Sequence, residues 1–191
     1  MACIGNIALS LAMPCGAPAK ADLSAPVSAK ILNAEDIASF TISTGNAAVI
    51  TRKPEKVGYD VTTVNNSLVV TVGLKSQDII PGAYDVAITL KSFSGAHLTA
   101  SATTSFGVVG TLERAQLVIA VDHGDTIRVY GLGVPLVCTE ISGDSSASAY
   151  VTYTFGVEDW QVGTTIHYLS RADYDALSTP TPAPAPVDPE Q

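Results

Sequence analysis

Apolar residues alternate with polar ones along much of the chain, most clearly between residues 117 and 155. Residues 117–121 form a continuous apolar run, and residues 122–125, Asp-His-Gly-Asp, have the composition of a tight turn. Ile127 and Val129 then alternate with more polar neighbours. This order predicts a strand, a tight turn and a half-buried partner strand.

The same order repeats directly afterwards. Residues 134–141 are mostly apolar, residues 142–146 form a Ser/Gly-rich polar loop, and residues 150–155 alternate strictly. In the last segment Val151, Tyr153 and Phe155 share one face, and threonines occupy the other. A period of two excludes a helix here, so the pattern predicts a second antiparallel hairpin.

The first half of the chain also has a period of two. Strands are predicted at residues 27–32, 40–42, 47–51, 59–64, 68–72, 84–90 and 97–104. Asn65 and Asn66 have the composition of a two-residue turn, so residues 59–64 and 68–72 are predicted to pair as a hairpin. At least seven strands are therefore expected before the first helix.

Two short helices are predicted, at about residues 108–116 and from Ser170, as N-cap, to Leu177. The fold class is mainly β, an antiparallel β-sandwich or barrel with one or two short helices. The length of the chain suits one domain, residues 27–178, preceded by an N-terminal arm, residues 1–26. A Pro-rich flexible tail, residues 179–191, is expected to follow.

The N-terminal residues do not have the organisation of a signal peptide. No basic residue precedes their apolar part, and Pro14 closes that part early. The cysteines are Cys3, Cys15 and Cys138, an odd number without a C-x-x-C pair. Thiols in a reducing compartment are the expectation, and a Cys3–Cys15 disulfide is the alternative for an oxidising compartment.

Charge is scarce and unevenly distributed. Only 15% of residues are charged against 47% hydrophobic, a composition that favours a surface covered by partners and hence self-assembly. Residues 101–191 hold eleven acidic and three basic residues, against seven of each in residues 1–100. The one basic cluster, residues 52–56, is predicted to be an exposed turn. Ordinary nucleic-acid binding is therefore disfavoured.

Motifs for catalysis or metal binding are not found in the sequence. His97, His123 and His167 are scattered among predicted strands, and His123 with Asp125 forms a Ser/His/Asp arrangement only by chance, given the many serines. Asp122 and Asp125 flank a turn that has too few carboxylates for calcium. The sequence contains no run of 18 apolar residues, so no membrane-spanning helix is predicted. We expect no enzyme activity, no catalytic, cofactor-binding or metal site, and no cofactor.

Three sequence features resemble phage tail tube (major tail) proteins. The chain opens with MACIGN and continues to MPCG; the turn at residues 33–37 precedes an alternating strand at Phe40. The third feature is the block GTLERAQLVIAVDHGD, YGLGVPL and ISGDSSASAYVTYTFGVED. The resemblance covers the layout of roughly residues 1–170, while the Pro-rich C-terminus and the acidic C-terminal half depart from it.

The resemblance implies a virion structural protein of a tailed phage, most simply the tail tube subunit. Such subunits assemble with copies of themselves into stacked, usually hexameric, rings, and contact other tail or head proteins. The genome passes through the channel, so DNA is expected to pass without specific binding. The location implied is the virion, and the host cytoplasm before assembly. An acidic lumen would repel phosphates. The alternative is that the acidic residues only keep the protein soluble.

Two alternatives remain open at this point. The first is a head decoration, connector or tail-terminator protein of the same virion, which also uses a small β fold. The second is a secreted β-sandwich binding module, which predicts processing of the N-terminus and the Cys3–Cys15 disulfide.

Overall fold

Antiparallel strands form most of the regular structure in the computed structural model, which describes residues 26–61, 67–73, 83–93, 115–144, 150–158, 161 and 163–180. The strands are β1 (Ser28–Asn33), β2 (Ile37–Ile42), β3 (Ala48–Arg52), β4 (Tyr59–Val61), β5 (Val69–Gly73), β6 (Asp85–Phe93), β7 (Leu117–Asp122), β8 (Ile127–Tyr130), β9 (Val137–Asp144), β10 (Tyr150–Gly156) and β11 (Ile166–Leu169). A 3-10 turn (Ala34–Asp36) and helix α1 (Arg171–Ala176) complete the elements. The predicted mainly β fold class is confirmed.

A five-stranded sheet forms the middle layer, with strand order β11-β8-β7-β1-β4 and antiparallel neighbours throughout. Every residue of β7 and β8 is buried. The predicted hairpin of these two strands is confirmed. The prediction that its second strand, β8, is half-buried is wrong, because Arg128 and Tyr130 are only 8% and 0% exposed. The sheet is covered on both faces, so the polar positions of β8 are buried as well as the apolar ones.

A four-stranded sheet, β5-β6-β10-β9, packs on one face of the middle sheet. The hairpin predicted from residues 134–155 is confirmed as β9 and β10. The loop predicted at residues 142–146 is wrong in its first part, because β9 continues to Asp144 and pairs there with β10. Alternation places one set of side chains inward on each strand, as the sequence predicts. The first core combines residues of both sheets, including Ala29, Leu117, Ile119, Val121, Val86, Ile88, Leu90, Tyr153 and Phe155.

A third layer covers the other face of the middle sheet. It consists of the β2–β3 hairpin and helix α1. The second core lies beneath this layer and includes Leu32, Ala48, Val118, Ala120, Val129, Leu169, Tyr174 and Leu177. Residues such as Val118 and Ile119, adjacent in β7, therefore enter different cores, which explains why that strand is apolar at every position but its last.

The capped C-terminal helix is confirmed. The Ser170 hydroxyl oxygen accepts a hydrogen bond from the Asp173 backbone N–H at 3.1 Å, and the hydroxyl donates to Asp173 Oδ2 at 2.6 Å. Asp173 also lies in the first turn, where a negative charge is favoured by the helix dipole. This reciprocal pair fixes the point at which the chain leaves β11 and turns into α1.

The hairpin predicted from residues 59–64 and 68–72 is wrong. Strand β4 pairs with β1 in the middle sheet, whereas β5 pairs with β6 in the four-stranded sheet. The alternating pattern determines which side chains are buried but not which strand is the partner, and here the chain crosses between two sheets that face the same core. The Asn65–Asn66 turn lies outside the described residues.

Several other predictions also lie outside the described residues. These are the N-terminal arm up to residue 25, the strand at 97–104 and the tail from residue 181. Of the helix predicted at 108–116, residues 108–114 are outside as well, and Ala115 and Gln116 are not helical.

The Gly131 turn connects the two sheets. Gly131 has a φ of +94°, and a Cβ at this position would lie 2.6 Å from the carbonyl oxygen of Leu117. Leu117 and Leu136 exchange backbone hydrogen bonds of 2.7 and 2.8 Å just beside it. Only glycine fits this close approach, which lets the chain leave β8 and enter β9 in the other sheet.

Candidate functional site

The two described histidines, His123 and His167, lie close to polar side chains of the fold itself. His123 is buried at the end of β7, with Nε2 3.5 Å from the Tyr130 hydroxyl. His167 lies on β11, with Nδ1 2.6 Å from Asn46 Oδ1 and Nε2 2.7 Å from Thr165 Oγ1. Burial lowers the pKa of His167. The ring of His167 thus joins the β2–β3 turn to β11.

Asp122 is the partner of a cation. Its carboxylate accepts two hydrogen bonds from Arg171, one of them 2.9 Å long at Oδ1, and a third from the Gly124 N–H at 2.7 Å. The Arg171 guanidinium, followed by the Gly124 N–H, outweighs burial and lowers the pKa of Asp122. In the part of the chain that the structure describes, no cluster of three or more His, Cys, Asp or Glu could hold a metal ion.

The basic cluster at residues 52–56 is mostly exposed, as predicted, but Arg52 is turned inward. Its guanidinium donates four hydrogen bonds of 2.7–3.0 Å to the backbone carbonyls of Lys56, Ala176, Leu177 and Thr179. Three of these carbonyls belong to the C-terminal end of α1 and the residues after it, where a cation is favoured. Lys56 forms a 3.1 Å ion pair with Asp36.

A second cation fixes the C-terminal segment on β1. Lys30 is 7% exposed, and its Nζ lies 2.7 Å from Asp60 Oδ1 and donates to the Ser178 hydroxyl. The same ammonium lies 5.0 Å from the centre of the Tyr174 ring. Sequence reasoning missed this network and the Asp122–Arg171 pair, because their members are distant in sequence and follow no local pattern.

Buried polar side chains also occupy β8. The Arg128 guanidinium lies 5.9 Å from the centre of the Tyr168 ring, within reach of a cation–π contact. Burial raises the pKa of Tyr130 to about 12. The neutral phenol of Tyr130 and the cation–π contact of Arg128 show how polar residues are accommodated in this strand.

The outward face of the four-stranded sheet has a different character. It carries small and hydroxyl side chains that are partly or fully exposed, namely Val69, Thr71, Ala87, Thr89, Thr152 and Thr154. Thr89 and Thr154 are cross-strand neighbours, with their hydroxyl oxygens 3.5 Å apart. Charged groups lie at its margins, Lys91 at one end, Asp85 at the other and Glu140 on β9.

This sheet also ends in two edge strands. β5 pairs only with β6, and β9 pairs only with β10, among the described strands. On β9 a bulge at Thr139 separates the pair Glu140–Thr154 from the pair Cys138–Phe155. Cys138, the third predicted thiol, donates to the Glu140 carbonyl at 3.6 Å. Unpaired backbone groups on such edges are templates for another strand.

The architecture places this chain in the class of antiparallel β-sandwich proteins, with a third layer of one hairpin and one helix. No family model matches the sequence, and no curated protein or solved structure is significantly similar to it. None of the helical segments within the described ranges has the length and apolar character needed to cross a bilayer. The surface described above is therefore the basis for assigning a function.

Proposed function

We propose that this protein is the tail tube subunit of a tailed phage, assembling with copies of itself into stacked rings around a channel for DNA. The ring is expected to be a hexamer, and other tail or head proteins cap the stack. The subunit acts in the virion and is present in the host cytoplasm before assembly. The proposal rests on the sequence resemblance together with the surface of the four-stranded sheet.

The observation that carries the proposal is that, among the described strands, this sheet has an edge strand on each side. β5 at one edge and β9 at the other can each accept a strand from a neighbouring copy. Pairing of unlike edges is heterologous, so it closes into a ring when the rotation between copies allows it. Such pairing would cover both edges and continue one sheet around the ring.

The outward face of the sheet has a composition suited to a subunit interface or to a channel lining that binds DNA weakly. Its centre consists of threonines with one valine and one alanine, and Lys91 is its only cation among the described residues. Phosphate binding requires several Lys or Arg side chains, which release counterions from DNA. A surface of this composition lets DNA slide past without being held.

The placement of the other cations points the same way. Lys30, Arg52, Lys56 and Arg171 form ion pairs or hydrogen bonds within the subunit, and Arg128 makes a cation–π contact with Tyr168. Their charge is used to hold α1 and the loops on the sandwich. Lys53, on the opposite side of the sandwich from the four-stranded sheet, is the exposed exception among the described cations other than Lys91. With a net charge of −8, the subunit is expected to repel the DNA backbone at neutral pH.

The edge can be tested with two matched valines. Val69 on β5 and Val49 on β3 are each 51% exposed. A lysine on an edge strand opposes strand pairing with another molecule, so Val69→Lys is expected to block ring formation. Val49→Lys adds the same charge on the third layer and is expected to leave assembly unchanged. Sedimentation velocity of wild type and both variants measures the effect.

Two results would contradict the proposal. A wild-type protein that stays monomeric at every concentration would exclude a self-assembling tube and favour a decoration protein or a binding module. Rings formed equally well by Val69→Lys would show that the β5 edge takes no part in the ring, and would remove the main structural support.

A further inference from the structure

An apolar groove runs beside strand β2. It has a volume of about 390 Å³ and is open to solvent. Ile37, Ala38 and Phe40 form one wall, and Leu132 and Pro135, from the loop after β8, form the opposite wall. No residue of β3 lines it, so the groove lies on the side of β2 that faces away from its partner strand.

The backbone of β2 is open toward this groove. Within the described part of the chain, β2 pairs with β3 alone. The Ser43 N–H donates to the Ala47 carbonyl, and hydrogen-bonded pairs alternate along an antiparallel ladder. The backbone N–H and C=O groups of Thr41 therefore point toward β3, and those of Phe40 and Ile42 point to the open edge. Both side chains are 41% exposed.

The chain itself contains a segment suited to this edge. From Ile7 to Met13 the sequence is IALSLAM, in which large apolar residues alternate with Ala, Ser and Ala. Such a period of two puts every large side chain on one face of an extended strand. Pro14 follows directly, and proline ends a strand because it has no N–H to donate.

The connection is long enough for docking on the same molecule. Val27 enters the fold beside Asp122, to whose carbonyl its N–H donates at 2.7 Å. The groove begins at Ala34, beyond the far end of β1, and six strand residues span about 20 Å. The thirteen residues from Pro14 to Pro26 reach about 43 Å when extended.

We propose that residues 7–13 add to the open edge of β2 of the same molecule as an antiparallel or parallel strand, with Ile7, Leu9, Leu11 and Met13 on the groove side. Backbone hydrogen bonds to Phe40 and Ile42 supply the pairing, and the apolar groove selects the face of the segment. A tether that spans the distance gives docking within one molecule a high effective concentration. This proposal does not depend on the tail tube assignment.

Hydrogen exchange of the Phe40 and Ile42 amides, followed by NMR on the full chain, tests the proposal. Both amides are expected to exchange about a hundredfold more slowly in the wild type than in Leu9→Asp, because a paired strand must open before exchange occurs. Ser10→Asp places the same charge on the opposite face and is expected to keep the protection. The buried Ile119 amide reports in each variant that the fold is intact.

Other outcomes would overturn the proposal. Fast exchange of both amides in the wild type would show that the edge is open, and equal protection in Leu9→Asp would show that another group covers it, such as a small apolar ligand. Protection that disappears on dilution would mean that the segment pairs with a second copy. Protection independent of concentration is the result expected for docking within one molecule.

Discussion

The two sheets of the sandwich differ in what their faces contact. The middle sheet is covered on both faces at its centre, where β7 and β8 have no exposed residue. Within the described residues, the four-stranded sheet buries only its inner face and leaves threonines and two edge strands outside. The middle sheet therefore supplies most of the packing of the domain, and the four-stranded sheet supplies the surface available for assembly.

Their polar groups differ in the same way. Charged residues on and around the middle sheet are held in ion pairs. Asp122 binds Arg171 of α1, and Lys30 on β1 binds Asp60 on β4. On the four-stranded sheet, the charged residues lie at the margins of the outward face. Substitutions in the two sheets should thus affect different properties, stability in the first and association in the second.

The largest expected effect is a cavity in the middle sheet. Ile119→Ala removes a fully buried side chain of β7 and should lower the free energy of unfolding by about 2–5 kcal/mol. Val69→Ala on the exposed face of β5 should change it by less than about 0.5 kcal/mol. Urea denaturation of both variants measures the difference, and equal losses would contradict the contrast between the sheets.

A smaller effect is expected for the arginine that binds the end of α1. Arg52→Ala removes four hydrogen bonds to carbonyls and should lower the free energy of unfolding by about 1–2 kcal/mol. Lys53→Ala removes the neighbouring exposed cation and should have no measurable effect. Faster amide exchange in α1, seen only for Arg52→Ala, would confirm that the loss acts on the helix. Equal behaviour of the two variants would contradict it.

The next effect is the loss of the Asp122–Arg171 pair at acidic pH. Arg171 lowers the folded-state pKa of Asp122 below the value of 3.8 for an unperturbed aspartate. The stabilisation from this pair is therefore fully present above the unfolded-state pKa. It is lost as the pH falls through the lower folded pKa. Asp122→Asn should cost less than about 1 kcal/mol at pH 7, since the Arg171 side chain is half exposed.

The same substitution should flatten the fall in stability below pH 4. Thermal unfolding of wild type and Asp122→Asn from pH 2 to pH 7 provides the comparison. An unchanged slope in the acid range would show that the pair contributes nothing to folding.

The smallest effect concerns His167. Burial lowers its folded-state pKa below the unfolded value of 6.5, so its neutral form is favoured on folding. The corresponding stability is present above pH 6.5 and is lost as the pH falls through the folded pKa. His167→Gln should remove this step from the profile of unfolding free energy against pH. A step that persists in the variant would have to be assigned to another group.

Sequence patterns predicted local features of the fold well. Alternation identified the inward residues of β6 and β10, and Ser170 with Asp173 identified the start of α1. The partner of β4 could not be predicted in this way, because alternation is the same whether a strand pairs with its neighbour in sequence or with β1.

The third layer and its contacts were also beyond the reach of sequence reasoning. Phe40 and Ile42 indicated a strand, but nothing local indicated that the hairpin would cover a second face of the middle sheet. The Arg52 contacts join residues more than 120 positions apart. For the candidate surface, the threonine pattern was visible in the sequence, and the edge positions of β5 and β9 required the structure.

Electron microscopy of the purified wild-type protein over a range of concentration and salt tests the central claim most directly. The account predicts rings or tubes with a central channel wide enough to pass a DNA duplex. Monodisperse monomers under all conditions would contradict it, because open edges that never pair between copies cannot form a tail tube.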